Sequence, residues 1–108
     1  MFGFSFDKTM EEVKKELDEQ KDIQLLDVRE ADEYREGHIP GADLLPLSEL
    51  ETRAKDIVEV CKLHYVYCRS GQRSRTAVKK LKAMGYDQLY NIGGIAHWPY
   101  EQKVGDEK

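Results

Sequence analysis

Short apolar runs alternate with helical patterns along most of the chain. The runs at 23–28 and 63–67 are mostly apolar, as expected for strands that are covered on both faces. Further strand-like segments occur at 43–45 and 87–92. Because parallel strands need a long crossover connection, usually a helix, this alternation predicts an α/β domain built on a largely parallel sheet.

The helical segments carry recognisable start and stop signals. Thr9 with Glu12, and Ser48 with Glu51, have the spacing of a capping box, in which a hydroxyl and a carboxylate bind the free N–H groups of the first turn. Gly85 is typical of the residue that follows the end of a helix. With the spacing of the apolar residues, these signals predict helices at about 9–20, 30–36, 48–60 and 74–84.

The length of 108 residues leaves room for one hydrophobic core. We therefore expect a single domain over 1–108, with its core at about 8–98 and a charged, mobile tail at 101–108. No apolar stretch approaches the roughly 20 residues that cross a bilayer, and the first residues lack the basic and long apolar regions of a signal peptide. These features predict no membrane partner and a cytoplasmic location.

The charge of the chain is unevenly distributed. A net charge of −4 argues against a nucleic-acid partner, whereas the region 68–82 is locally positive and suits a small anionic substrate. Within that region Lys79, Lys80 and Lys82 form either a solvated helix face or a docking patch for an acidic partner.

The segment 68–73, Cys-Arg-Ser-Gly-Gln-Arg, is the strongest candidate for chemistry. It joins a strand pattern to a helix pattern, so backbone N–H groups and the helix dipole can converge on the sulfur of Cys68. Such surroundings lower the pKa of a thiol and favour the thiolate, which can attack a sulfane sulfur and hold it as a persulfide. Asp27 and Arg29 end another strand of the same sheet, so we expect them at the same edge, holding the loop through salt bridges.

Other roles for the cysteines are weaker. If 63–68 is a strand, Cys61 and Cys68 are separated by roughly 20 Å of extended chain, too far for a disulfide, so we expect free thiols. We expect Cys61 to pack beside Val58 and Val60, with a resolving role as the minor alternative. Cys61, His64 and Cys68 supply too few ligands for zinc, and the sequence predicts neither a metal nor a cofactor.

Five short motifs, in order along the chain, resemble those of single-domain rhodaneses. They are Leu26-Asp27-Val28-Arg29-Glu30, Glu33-Tyr34, Gly37-His38-Ile39-Pro40-Gly41-Ala42, Tyr67-Cys68-Arg69-Ser70-Gly71 and Gly93-Gly94-Ile95-Ala96-His97-Trp98. The likeness extends from about residue 8 to residue 98. It implies a rhodanese-like domain with a central, mostly parallel five-stranded sheet and helices on both faces.

The resemblance also implies an activity and its residues. The activity is that of a thiosulfate sulfurtransferase, which takes sulfur from thiosulfate or a persulfide donor and passes it to a thiol, to cyanide or to a protein acceptor. Cys68 would form the persulfide, and Asp27 and Arg29 would support the site. The residues that would surround the bound sulfur are Arg69, Ser70, Gly71, Gln72 and Arg73.

Two alternatives belong to other classes of protein. Phosphatases and arsenate reductases of this fold resemble the pattern of a cysteine, five residues and then an arginine, whereas here four residues separate Cys68 from Arg73 and Ser74 stands at the arginine position. A rhodanese-like interaction module would typically lack the cysteine that this chain keeps. A persulfide carrier that docks on a protein partner fits all of the motifs.

Overall fold

The structure is a computed structural model that describes residues 6–19 and 22–108. Two 3-10 turns accompany the regular elements, at Leu47–Glu49 and Ile95–His97. The regular elements follow one another as α1 (Met10–Glu19), β1 (Ile23–Asp27), α2 (Ala31–Glu36), β2 (Asp43–Leu44), α3 (Leu50–Ile57), β3 (Leu63–Cys68), α4 (Gln72–Ala83) and β4 (Leu89–Gly94).

The strands form one parallel sheet in the order β2-β1-β3-β4, which confirms the predicted α/β class. Over the described residues the sheet has four strands rather than the five expected. At the outer edge of β4, Asp7 N donates to Asn91 O at 3.0 Å, but the Asp7 carboxylate accepts the Asn91 N–H at 2.8 Å. A side chain thus takes the place of a backbone acceptor at Asn91, and within residues 6–19 and 22–108 no further strand pairs with β4.

Helices cover both faces of the sheet, as predicted. Because successive strand residues point to opposite faces, β1 and β3 contribute to two separate cores. One core packs against α3 and α4, and its buried members include Leu26, Val66, Cys68, Ala54 and Leu81. The other packs against α1 and α2, with Leu25, Tyr65, Val13 and Tyr34 among its buried members. The side chain of Cys68 therefore lies on the α3 and α4 side of the sheet.

Helix starts agree with the sequence signals in part. The Thr9 capping box is confirmed, because Glu12 N donates to Thr9 Oγ1 at 3.1 Å and Thr9 N donates to the Glu12 carboxylate at 2.9 Å. The predicted end of that helix near Gln20 lies outside the described residues. The second capping box is wrong, because Ser48 Oγ donates to the Glu30 carboxylate instead. A 3-10 turn precedes α3, which consequently begins at Leu50.

The charged tail is docked on the domain, so the prediction that it is mobile is wrong. Lys103 and His38 exchange backbone hydrogen bonds of 2.9 and 2.8 Å, and Gly105 N donates to Arg35 O at 2.8 Å. The buried ring of His38 adds a contact of 2.7 Å between Nε2 and the Glu107 carbonyl. Apolar periodicity could not reveal this docking, because backbone groups and one imidazole make these contacts.

Both cysteines are free thiols, as predicted, and they stand at opposite ends of β3. Cys61 is exposed in the turn before the strand, and its neighbour Val60 is 65% exposed, so the expected apolar packing around Cys61 is wrong. The two ring nitrogens of His64 contact the carbonyl oxygens of Asp87 and Glu59 at 3.0 and 2.8 Å, which leaves no ring nitrogen for zinc.

The described residues contain neither a membrane-spanning helix nor a metal-binding cluster. No helix in 6–19 or 22–108 is long and apolar enough to cross a membrane. Over the same ranges, no group of three or more His, Cys, Asp or Glu side chains is arranged to hold a metal ion.

Candidate active site

Cys68 is the last residue of β3, and the chain turns immediately into α4. Gly71 makes this turn possible because its φ of +106° is one that an L side chain rarely adopts. The turn brings the Gly71 N–H to Cys68, with the nitrogen 3.0 Å from Sγ. Cys68 is only 1% exposed, so its sulfur lies beneath its own loop at the N-terminal end of a helix, where the helix dipole favours negative charge.

Hydrogen bonds favour the ionised form of the Cys68 thiol. Burial alone would raise its pKa, but the Ser74 hydroxyl and the N–H groups of Ser74, Gly71 and Ser70 outweigh burial and hold the pKa of Cys68 below its ordinary value. Ser74 Oγ lies 3.6 Å from Cys68 Sγ. Because the thiolate is the nucleophilic form of cysteine, these donors increase the reactivity of the sulfur near neutral pH.

The residues predicted to surround the sulfur lie close to Cys68 but in different environments. Ser70 and Gly71 direct their N–H groups at the sulfur. Arg69 is exposed and lines a cleft beside the loop. Gln72 is exposed as the first residue of α4. Only part of the predicted set therefore contacts the thiol directly.

Arg73 is bound to a carboxylate of the neighbouring helix. Its Nη1 and Nη2 atoms donate to the two oxygens of Glu33 at 2.8 and 2.9 Å. The hydrogen bond to Glu33 is the main reason that the pKa of Arg73 is raised, and the nearby Cys68 adds a smaller effect. Arg73 therefore ties α4 to α2 while its charge still favours the Cys68 thiolate.

The pair between Glu33 and Arg73 should make stability depend on pH. The hydrogen bond from Arg73 lowers the pKa of Glu33 to about 2. The pair therefore stabilises the fold fully above about pH 4.3, the pKa of glutamate in the unfolded chain, and this stabilisation is lost as pH falls towards 2. We expect wild type to lose about 1 kcal/mol more than Glu33→Gln between pH 6 and pH 3, a figure reduced for solvent screening. Urea unfolding at the two pH values measures this difference.

Glu51→Gln is the matched control, since Glu51 pairs with Lys80 on the exposed surface. Lys80 lowers the pKa of Glu51 as well, but solvent screens this exposed pair, so Glu51→Gln should stay close to wild type between the two pH values. Equal losses for wild type and Glu33→Gln would contradict the prediction.

A cleft of about 450 Å³ opens next to the loop. Its charged walls include Arg29, Arg69, Glu33 and Glu36, and its apolar side is formed by Ile95, Ala96 and Trp98. Arg69 follows Cys68 directly and is exposed, whereas the charge of Arg29 is balanced by Asp27. An anionic group would therefore be attracted to the Cys68 end of this cleft.

Asp27 and Arg29 form a buried, two-pronged ion pair. Arg29 Nε and Nη2 donate to the Asp27 carboxylate at 3.0 and 2.7 Å, and Nη2 also donates to Gly37 O at 2.7 Å. The relative exposure of the two side chains is 7% for Arg29 and 0% for Asp27. The pair thus supports the cleft through Gly37, rather than through direct bonds to the loop as the sequence had suggested.

Two polar side chains near Cys68 acquire roles that the sequence did not reveal. Ser74 is fully buried and its Oγ donates to Asn91 Oδ1 at 2.7 Å. Asn91, not predicted at all, also donates from Nδ2 to Gly71 O at 3.0 Å. The only available signal for Asn91 was an amide side chain in the otherwise apolar pattern of β4.

Gly94 allows β4 to approach the loop at 68–73 closely. A Cβ at this position would overlap the carbonyl of Arg69 and come within 2.5 Å of Ser70 N. We expect Gly94→Ala to displace the loop, to destabilise the fold by about 1–3 kcal/mol through overpacking and to slow alkylation of Cys68. Denaturant unfolding and the rate of iodoacetamide labelling measure the two effects.

Gly85→Ala is the control for Gly94→Ala. Gly85 has a φ of +102°, and nothing lies near the position that an added Cβ would take. We therefore expect Gly85→Ala to cost only about 1–2 kcal/mol through backbone strain and to leave the labelling rate of Cys68 unchanged. Unchanged labelling of Gly94→Ala would show that the contact does not position the loop.

Known proteins resemble this chain over most of its length. A family model described as "Rhodanese-like domain" matches residues 9–100. The chain is 36% identical over 91 residues to "Putative sulfur carrier protein YrkF" of Bacillus subtilis (strain 168), covering 83% of the chain but 49% of that protein. It is 35% identical over 89 residues to a "Sulfurtransferase" of Allochromatium vinosum, covering 82% of each.

A solved structure shows the same fold. The crystal structure of a rhodanese-like domain protein from Staphylococcus aureus has 31% sequence identity to the chain and superposes with a TM-score of 0.80. The match covers 91% of this chain and 96% of that one. The likeness therefore extends over nearly the whole of both domains, whereas the chain spans about half the length of YrkF.

Proposed function

The chain belongs to the rhodanese-like family, and on that premise we propose that it is a sulfurtransferase that carries sulfane sulfur as a persulfide on Cys68. The observation that carries the proposal is the surroundings of the sulfur. Backbone N–H groups and the Ser74 hydroxyl favour the thiolate of a buried cysteine, and no zinc or external base is needed for this. Those donors can also stabilise the negative charge of a bound persulfide.

The proposed reaction has two displacement steps. In the first, the Cys68 thiolate attacks the outer sulfur of thiosulfate, a new S–S bond forms, and the original S–S bond breaks so that sulfite leaves with the bonding electron pair. In the second, an acceptor such as cyanide or a thiolate attacks the terminal sulfur of the persulfide. The bond to Cys68 then breaks and returns the electron pair to Cys68 as the thiolate.

The charges of the cleft support an anionic donor. Arg69 is exposed at its wall next to Cys68, so thiosulfate or a small persulfide would be drawn to this end of the cleft. Sulfite carries two negative charges as it leaves, and Arg69 would stabilise that charge as well.

A persulfide carrier that delivers sulfur to a protein acceptor is the second candidate. The similarity to a protein named as a sulfur carrier favours it, and the same Cys68 intermediate would serve both functions. A phosphatase function is less favourable, because Arg73, the arginine that ends the loop, is bound to Glu33.

The test of the proposal is the intact mass of the protein after incubation with thiosulfate. We expect a gain of one sulfur, about 32 Da, as the persulfide forms. Cyanide should then remove that sulfur as thiocyanate and restore the original mass. A mass that stays unchanged with thiosulfate, polysulfide and glutathione persulfide would refute the proposed function.

A further inference from the structure

We propose that Asn91 is a positioning residue that tunes the reactivity of Cys68 by holding two of the hydrogen-bond donors around its sulfur. Asn91 is 8% exposed on β4, and its side chain contacts Gly71 and Ser74 rather than the sulfur itself. The inference deepens the proposed function and rests on Cys68 being the reactive residue.

The first connection runs through Gly71. Asn91 Nδ2 donates to Gly71 O at 3.0 Å, and the N–H of Gly71 donates to Cys68 Sγ at 3.0 Å. A glycine with a φ of +106° has little steric restraint of its own. The Gly71 carbonyl also accepts the Arg75 N–H at 3.1 Å in the first turn of α4. The Asn91 amide therefore adds a second restraint, from β4, that keeps the Gly71 N–H directed at the sulfur.

The second connection runs through Ser74. Its hydroxyl has one proton, which is donated to Asn91 Oδ1 at 2.7 Å, while the oxygen lies 3.6 Å from Cys68 Sγ. When the thiol ionises, that proton can turn towards the sulfur at the expense of the bond to Asn91. Asn91 and Cys68 thus compete for the same proton, so the ionisation of Cys68 is coupled to the Asn91 side chain.

A bulge in β4 sets the orientation of Asn91. The register between β3 and β4 shifts after Val66, so that Asn91 and Gly93 face consecutive residues of β3. Gly93 N donates to Asn91 Oδ1 at 3.0 Å. Because an N–H can only donate and the Gly71 carbonyl can only accept, these two backbone groups determine which side-chain atom is oxygen and which is nitrogen.

The charged groups around this network come from α4, from α2 and from the segment before α1. Arg73 of α4 lies near Cys68 and is paired with Glu33 of α2. On the outer side of β4, Asp7 accepts the backbone N–H of Asn91 at 2.8 Å. A new negative charge at position 91 would therefore act on the thiolate in addition to these existing groups.

Gln24 is a second buried amide side chain, and its role is structural only. It is 3% exposed at the start of β1, where Nε2 donates to Asp43 and Ile57 O and Oε1 accepts from Glu59 N. It is as well satisfied as Asn91 but lies at the end of the sheet away from Cys68. Gln24 is therefore a matched control for the chemical change of an amide into a carboxylate.

The test is the pH dependence of Cys68 alkylation by iodoacetamide in Asn91→Asp. The carboxylate loses the donor to Gly71 O and adds negative charge, and both changes disfavour the thiolate. The Gly93 N–H and the Ser74 hydroxyl, which both donate to Oδ1 of residue 91, favour the ionised form of the aspartate side chain. We expect alkylation at pH 7 to slow about tenfold, corresponding to a rise of about one unit in the pKa of Cys68.

Gln24→Glu should lose stability but retain the wild-type pH profile of alkylation. To keep alkylation specific, all proteins would carry Cys61→Ser. A folded Asn91→Asp whose profile coincides with that of wild type would overturn the proposal, as would an equal shift in Gln24→Glu.

A second measurement needs no change at position 91. In the Cys61→Ser protein, the side-chain amide resonance of Asn91 should shift with pH together with Cys68 alkylation, whereas that of Gln24 should stay constant. An Asn91 resonance that does not respond as Cys68 titrates would also overturn the proposal. Both readouts are independent of sulfur transfer, so a failure of the proposed function would appear separately, as the absence of a mass gain with sulfur donors.

Discussion

Cys68→Ser is expected to abolish the sulfur adduct and all turnover with thiosulfate and cyanide. A serine hydroxyl is nearly isosteric with the thiol, but it cannot form a persulfide. The small change in a buried position should leave the fold intact, so the loss would reflect the chemistry alone. Intact mass after incubation with thiosulfate, together with thiocyanate release, measures the expected result.

Cys61→Ser is the control within the same chain. Cys61 is exposed at the opposite end of β3 from Cys68, so its replacement should preserve both the adduct and the turnover. Loss of turnover in Cys61→Ser would show that Cys61 takes part in the reaction, against the geometry. Hydrolysis of p-nitrophenyl phosphate that depends on Cys68 would instead favour the phosphatase alternative.

Asp27→Asn is expected to cause the largest loss of stability among the substitutions considered for this protein. The Arg29 guanidinium donates twice to the Asp27 carboxylate, and its side chain is only 7% exposed. Removing the negative charge leaves a buried cation without its partner, which typically costs about 3–5 kcal/mol. Because small domains are stable by only about 5–15 kcal/mol, equilibrium urea unfolding should show a large shift of the midpoint.

Asp18→Asn makes the same chemical change in an exposed pair. Asp18 binds Lys14 on the surface of α1, so its loss should cost no more than about 0.5 kcal/mol. The double variant Asp27→Leu/Arg29→Met should be less destabilised than Asp27→Asn, because it removes the buried cation as well. If Asp27→Asn costs as little as Asp18→Asn, the buried pair does not stabilise the cleft.

Much of the fold could be predicted because its signals are local. The apolar run of β1 and the capping box at Thr9 each report a neighbourhood of a few residues, and both led to the correct element. The capping box predicted at Ser48 was wrong because it, too, was inferred from local spacing alone. The spacing from Ser48 to Glu51 fits a capping box, but a distant carboxylate, Glu30, competes successfully for the hydroxyl.

The docked tail and the edge of the sheet depend on contacts between distant residues. His38 and Lys103 are joined by backbone hydrogen bonds, and backbone groups leave no trace in the pattern of side chains. At the β4 edge, the Asp7 carboxylate rather than a backbone carbonyl accepts the Asn91 N–H. Neither outcome could be derived from periodicity, since both depend on which chain segments meet in space.

The candidate site likewise combines a part that local sequence predicts with a part that depends on contacts between distant residues. The loop from Cys68 to Arg73 is continuous in sequence, so its position between a strand and a helix could be predicted with the N–H groups that it directs at the sulfur. The pairing of Arg73 with Glu33 was not predictable, because α2 and α4 are separated by 40 residues at this contact and meet only in the folded domain.

The sequence by itself determined the α/β class, the family resemblance and the segment that holds the candidate cysteine, Cys68, because each is encoded by residues close together in the chain. The tertiary structure alone decided how the sulfur is surrounded. Asn91 reaches Gly71 and Ser74 across the boundary between β4 and α4, and hydrogen bonds need separations near 3 Å that only packing produces. The chemistry proposed for Cys68 was thus predictable in kind, whereas its control by Asn91 emerges only from the fold.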